Sequence, residues 1–125
     1  ATGLVQQMVT VFDAAGFADM IRPGDAVAIK LHCGEWNNTA YLRPVYARTL
    51  ADRVKALGGR PFVCDTATQT YSLTSSRATA LDLLTTAERT GYLPRSIAAV
   101  PLVDAGNRNP VVSPFELVPA ATVLP

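Results

Sequence analysis

The chain has 125 residues, 49% of them apolar and 17% charged, enough for one domain with a buried core and too apolar for disorder. Its net charge of +1, from 11 Lys and Arg against 10 Asp and Glu, offers no clustered basic patch for nucleic acid or an anionic membrane. No apolar run reaches the roughly 18–20 residues of a membrane span, no leader pattern opens the chain, and two cysteines fit a reducing cytoplasm better than a disulfide framework.

Val9, Phe12, Phe17, Met20 and Ile21 recur at helical spacing, which predicts a helix from Val9 to Ile21, weakened at Gly16. Arg22-Pro23-Gly24-Asp25 is turn chemistry, because proline fixes φ and glycine permits positive φ. Ala26-Val27-Ala28-Ile29-Lys30-Leu31 then reads as a strand apolar on both faces, the pattern of a parallel sheet. A loop from His32 to Leu42 leads to Pro44, which suits the first turn of a helix running to about Leu57. Its expected apolar face is Val45, Leu50, Val54 and Leu57, and Gly58-Gly59 ends it.

Pro61 to Asp65 forms a second short buried strand, followed by a polar loop from Thr66 to Ser76. A helix is expected from about Arg77 to Thr90, closed by Gly91, and a third strand from Ala98 to Asp104 in which Pro101 favours an edge or bulge. The tail, with Val111-Val112 and Phe115 to Val118, adds a strand or wraps the sheet. The order α-β-α-β-α-β predicts a single α/β domain: a three-layer sandwich with a mainly parallel sheet built from successive βα units. So apolar a composition also suits a chain that packs against a second copy of itself, a missing second domain or a partner chain.

Open α/β sheets place their sites beyond the carboxyl ends of the strands. The exits here are Lys30-Leu31-His32-Cys33, Cys64-Asp65-Thr66 and Asp104-Ala105-Gly106-Asn107. Neighbouring first and second strands would gather His32, Cys33, Cys64 and Asp65 in one crevice. His32, Cys33 and Cys64 are potential ligands for a transition metal such as zinc or nickel. Their spacing is no familiar clamp, and the competing reading makes both cysteines small core residues. A Cys33–His32 nucleophile pair is disfavoured, because adjacent side chains of an extended segment point to opposite faces.

Lys30 serves either an anionic ligand or the rim of the sheet. Glu35 and Asp65 are candidate acid and base, or caps of turns and helices. Asn37-Asn38-Thr39 has the composition of an N-cap and Asx turn, close to a helix N-terminus that also attracts anions, with Arg43 beside it. Trp36 and Tyr41 are either a ligand wall or loop anchors. The chain holds none of the phosphate-loop, dinucleotide, nucleophile-elbow or zinc-protease motifs.

Lys30-Leu31-His32, Gly34-Glu35, Asn38-Thr39 and Tyr41-Leu42-Arg43-Pro44 together resemble a stretch of the domain of unknown function 362 family. The resemblance continues through Gly59-Arg60-Pro61-Phe62, Asp65-Thr66, Thr70-Tyr71, Ser76-Arg77, Ala80, Asp82 and Gly91-Tyr92, over roughly residues 24 to 105. It implies a bacterial or archaeal protein with a redox or cofactor-linked role, often found beside iron–sulfur cluster motifs, and members usually longer than this chain. This sequence departs from the family pattern at Cys33, Cys64 and Leu83, and it carries no iron–sulfur cluster motif.

These readings converge on a ligand or cofactor crevice at the strand exits. Lys30, Asn38, Thr39 and Arg43 would bind a small anionic ligand, His32 and Glu35 would handle protons, and Asp65 would orient a neighbour. The alternative is a non-catalytic structural or interaction module.

Overall fold

A computed structural model describes residues 3–67 and 76–94, and the backbone of 100–104. The elements run α1 (Leu4–Ala14), α2 (Phe17–Met20), β1 (Ala26–Lys30), α3 (Pro44–Ala56), β2 (Arg60–Asp65), α4 (Ala80–Arg89) and β3 (Val100–Asp104). The chain is α/β, with β1, β2 and β3 parallel and adjacent in that order. The expected tail strand lies outside the described residues.

The first helix differs from its expected form. It begins at Leu4 and ends at Ala14, because Gly16 takes φ 81° and starts the short α2 in a new direction. Glycine meets no steric penalty there. Phe12 and Phe17 close the corner with ring centroids 5.4 Å apart. No residue of α1 is buried; an ion pair from Arg53 Nε to Asp13 Oδ1 at 2.9 Å ties it to α3.

The crossover helix α3 starts at Pro44, whose missing N–H costs nothing at that position. Ala47, Ala51 and Val54 are buried and Leu50 packs against the core, whereas Val45, expected on the same face, is exposed. Small alanines let the helix axis approach the sheet closely, so Ala47 and Ala51 share the contact with Val54 and Leu50. Gly58, at φ 88°, ends the helix, and Gly59 N donates back to Val54 O at 3.0 Å.

Helix α4 begins three residues later than the sequence predicts. Thr79 caps it reciprocally with Asp82, each side chain accepting from the other's backbone N–H. Arg77 is thereby left outside the helix, free to turn toward the strand ends. Leu83 and Ala87 of α4 share one apolar cluster with Ala47 and Ala51 of α3 and with Ile29, Leu31, Cys33 and Val63 of the sheet region. Both crossover helices thus lie on one sheet face, as right-handed connections in the order β1-β2-β3 require. Full burial of side chains such as Val63 and Leu83 contributes about 1.5–3 kcal/mol each. No helix among the described residues is long and apolar enough to cross a membrane.

Candidate functional site

Lys30 of β1 is paired with Cys64 of β2, so the two strands leave the sheet side by side. Leu31 N donates to Cys64 O at 3.1 Å and carries the ladder one residue further. The side chain of Asp65, 2% exposed, sits between the two exits. Its Oδ1 accepts from Lys30 Nζ at 2.9 Å and Thr66 N at 2.8 Å. Its Oδ2 accepts from Cys33 N at 3.0 Å and Arg77 Nη1 at 2.9 Å. These four donors occupy the carboxylate and fasten the loop after β1, the end of β2 and the segment before α4 to one point. Asp65, read from sequence both as a candidate acid or base and as the group that orients a neighbour, has both oxygens engaged by these donors.

Arg77 continues the network. Its Nε donates to Glu35 Oε1 at 2.8 Å, while Ser76 Oγ donates to Glu35 Oε2. Trp36 N donates to Ser76 Oγ at 3.2 Å, so three hydrogen bonds tie the loop after β1 to the segment before α4. Lys30, Asp65, Arg77 and Glu35 form a chain of alternating charge with no net sum.

Burial acts to raise the Asp65 carboxyl, but the Cys33 N–H, Lys30 and the Thr66 N–H outweigh it and hold the group below the ordinary carboxylate range. For Glu35 burial is likewise outweighed, by the hydrogen bonds of Ser76 and Arg77 and the Arg77 charge. Burial would lower Arg77, yet its two carboxylate partners raise it. All three groups are therefore ionised at neutral pH.

The two cysteines behave as core residues. Cys33 is 0% exposed and belongs to the apolar cluster; burial first, then the Asp65 charge, push its thiol up to about 12. Cys64 is buried and raised chiefly by burial. His32 is exposed, and its Nδ1 accepts from Gly34 N at 3.0 Å, which fixes the ring proton on Nε2. Among the described residues no three His, Cys, Asp or Glu side chains are placed to hold a metal ion. The transition-metal set expected from His32, Cys33 and Cys64 is thus not assembled, because Cys33 lies in the core while His32 faces solvent.

Beside the network lies a cleft of about 320 Å³ lined by Glu35, Trp36, Asn37, Asn38, Thr39, Tyr41, Arg89 and Thr90. Asn37 takes φ 62°, a left-handed conformation that asparagine tolerates. Asn38 Oδ1 accepts from Ala40 N at 2.8 Å, the expected Asx turn. The cap of α3 is Arg43 rather than one of these polar residues, and Arg43 is exposed outside the cleft lining. The structure thus brings Lys30, Glu35 and Asp65 into one network, sets Asn38 and Thr39 with Glu35 around the cleft, and leaves Arg43 apart.

Three contributors have no role in the sequence-based site: Ser76, Arg77 and Arg89. The first two stand in a quoted family string, which is the signal that could have marked them. Arg89 ends α4, far along the chain from Trp36, and no local pattern points to it.

The fold and the site define an α/β domain with a charged network and an open cleft at the carboxyl ends of parallel strands. The chain belongs to a specific family: residues 27–123, most of its length, match the family model described as Domain of unknown function (DUF362). No curated protein and no solved structure matches it.

Proposed function

We propose that the chain is a small-molecule-binding α/β domain whose ligand sits beside Glu35, at the carboxyl ends of β1 and β2. The observation that carries this reading is the network itself. Two basic side chains and two carboxylates are ion-paired at the one edge of a parallel sheet where such folds place ligands, and the network ends on a carboxylate that lines a cleft. A staple between loops would not require a partly exposed terminal carboxylate; the Glu35 side chain is 38% exposed.

In this reading Lys30, Asp65 and Arg77 hold Glu35 in place. Glu35, charged at neutral pH, accepts a hydrogen bond or a proton from the ligand. His32 offers an Nε2–H donor at the same edge, and Asn38 and Thr39 supply the polar wall. The sandwich is completed by a layer on the sheet face opposite α3 and α4, and the buried free thiols suit the cytoplasm.

The test is a thermal-shift screen of small acids, phosphates, amines and neutral polar compounds on the full chain, repeated with Glu35→Gln. A compound that stabilises the native chain and fails on Glu35→Gln supports the proposal. A screen without a hit, or a hit bound equally by the variant, overturns it.

A second reading is favoured by α1 and α2, where Leu4 is 67% and Met20 73% exposed beside Val11 and Phe17. Exposed apolar side chains on two consecutive helices suit a homo-oligomer interface. Native mass spectrometry over a range of concentrations decides it: a monomer throughout counts against self-assembly.

A further inference from the structure

Of the groups around the cleft, one is poised in a way that the network does not explain. The Arg89 guanidinium lies over the Trp36 ring, 4.3 Å from its centroid. A guanidinium held over a ring face keeps edge N–H donors that the ring does not occupy, and Arg89 is exposed. No carboxylate among the described residues pairs with it. Its place in the last turn of α4 suits the helix dipole, but that accounts for its charge and not for its position over an aromatic wall of a cleft.

The other polar groups of the lining are partly engaged within the chain. Glu35, the one carboxylate among these residues, already accepts from Arg77 and Ser76, so its charge is compensated and one lone pair on each oxygen remains for a ligand donor. Asn38 has its oxygen engaged by Ala40 N, and the amide N–H₂ of the same side chain is a donor. Thr90 spends its hydroxyl proton on Thr86 O and Ala87 O within its own helix. Asn37, Thr39 and Tyr41 offer acceptors as well as donors, so what distinguishes the lining is charge: Arg89 has no carboxylate partner among the described residues.

We propose that the Arg89–Trp36 pair is the anion-receiving element of this cleft, and that its ligand carries a carboxylate or phosphate group bound by the Arg89 edge. This rests on the ligand-binding reading above and names the chemistry of its ligand. It moves the anion away from Lys30 and Arg43. Lys30 is engaged with Asp65, and Arg43 lies outside the lining. The guanidinium fork matches two oxygens of either anion.

The chain has a single tryptophan, and it lines the cleft, so its emission reports occupancy directly. The full chain is titrated with benzoate, with inorganic phosphate and with neutral benzamide, all at constant ionic strength. The expected result is saturable change with at least one anion and none with benzamide; the tighter anion tells carboxylate from phosphate. Arg89→Ala, an exposed position whose folding circular dichroism confirms, should weaken the apparent affinity about tenfold or more. Arg89→Lys should recover only part of it, and Arg22→Ala should bind as the native chain does.

No saturable response to either anion, or equal affinity in Arg89→Ala, overturns the assignment. The thermal-shift screen separates this failure from failure of the site. A neutral or cationic hit lost in Glu35→Gln but kept in Arg89→Ala removes the anion and preserves the binding domain.

Discussion

Arg77 donates from Nη1 to Asp65 at 2.9 Å and, from Nε, reaches Glu35 at 2.8 Å. One guanidinium thus joins the buried anchor of the strand exits to the carboxylate on the cleft. Its side chain is only 11% exposed, and that of Asp65 less still. Arg77→Met leaves Asp65 buried with its charge partly uncompensated and should lower unfolding stability by about 3–5 kcal/mol, the usual cost of breaking a buried pair from one side. Urea denaturation at neutral pH measures it. Arg77→Lys should restore only a fraction, since an ammonium lacks the planar fork that serves two carboxylates at once. Full recovery by lysine would mean that charge alone, not geometry, holds the network.

The same network sets the response to acid. Asp65 and Glu35 are both held below the ordinary carboxylate range in the folded chain. Their stabilisation is therefore complete above the unfolded carboxyl value of about 4 and is lost as pH falls from there through the lower folded values. Asp65→Asn should be less stable than the native chain at neutral pH and should show a shallower loss on acidification. Urea midpoints from neutrality to about pH 3 test this. Parallel curves would show that Asp65 does not titrate as the network requires.

The strands and the first crossover were legible because their signals are local. Apolar runs broken by Pro23-Gly24 and Gly58-Gly59 gave β1, α3 and β2 to within a residue or so. Their parallel order followed from the helices between them. The ends of α1 and α4 were less legible. At Gly16 the apolar spacing runs on while the chain turns, and at Thr79 the capping box competes with a helical reading of Arg77 and Ala78. On α3 Val54 and Leu50 were legible, while Ala47 and Ala51 were missed because small size, not hydrophobicity, brings them against the sheet. Within the site, Lys30, Glu35 and Asp65 were visible from their position at strand exits. Arg77 and Arg89 reach their partners only through the tertiary fold: Arg77 meets Glu35 across 42 residues of sequence.

The cysteines offer a chemical check on the core. Cys33 is fully buried with its thiol pushed up to about 12, and Cys64 is buried and raised as well. The thiolate is the reactive form, so neither residue should be alkylated by iodoacetamide in the folded chain at about pH 8, and both should react in denaturant. Intact mass before and after unfolding gives the count. Fast modification of either thiol in the native chain would contradict the packing of the strand exits.

Gly34 links the site to the cleft. It takes φ 110°, and a Cβ there would stand 3.1 Å from Thr90 Cγ2 and 3.1 Å from Tyr41 Cβ, both on residues of the cleft lining. Gly34→Ala therefore carries backbone strain, for which about 1–3 kcal/mol is typical, and adds a steric push on two walls of the cleft. Gly16, at φ 81°, has nothing within 4 Å of the corresponding position, so Gly16→Ala carries the backbone strain alone. The first variant should lose more stability than the second in thermal unfolding, and it alone should change the emission of Trp36. Equal losses with unchanged emission would mean that the loop after β1 yields without moving Tyr41 or Thr90, and that the cleft is less firmly built than its contacts imply.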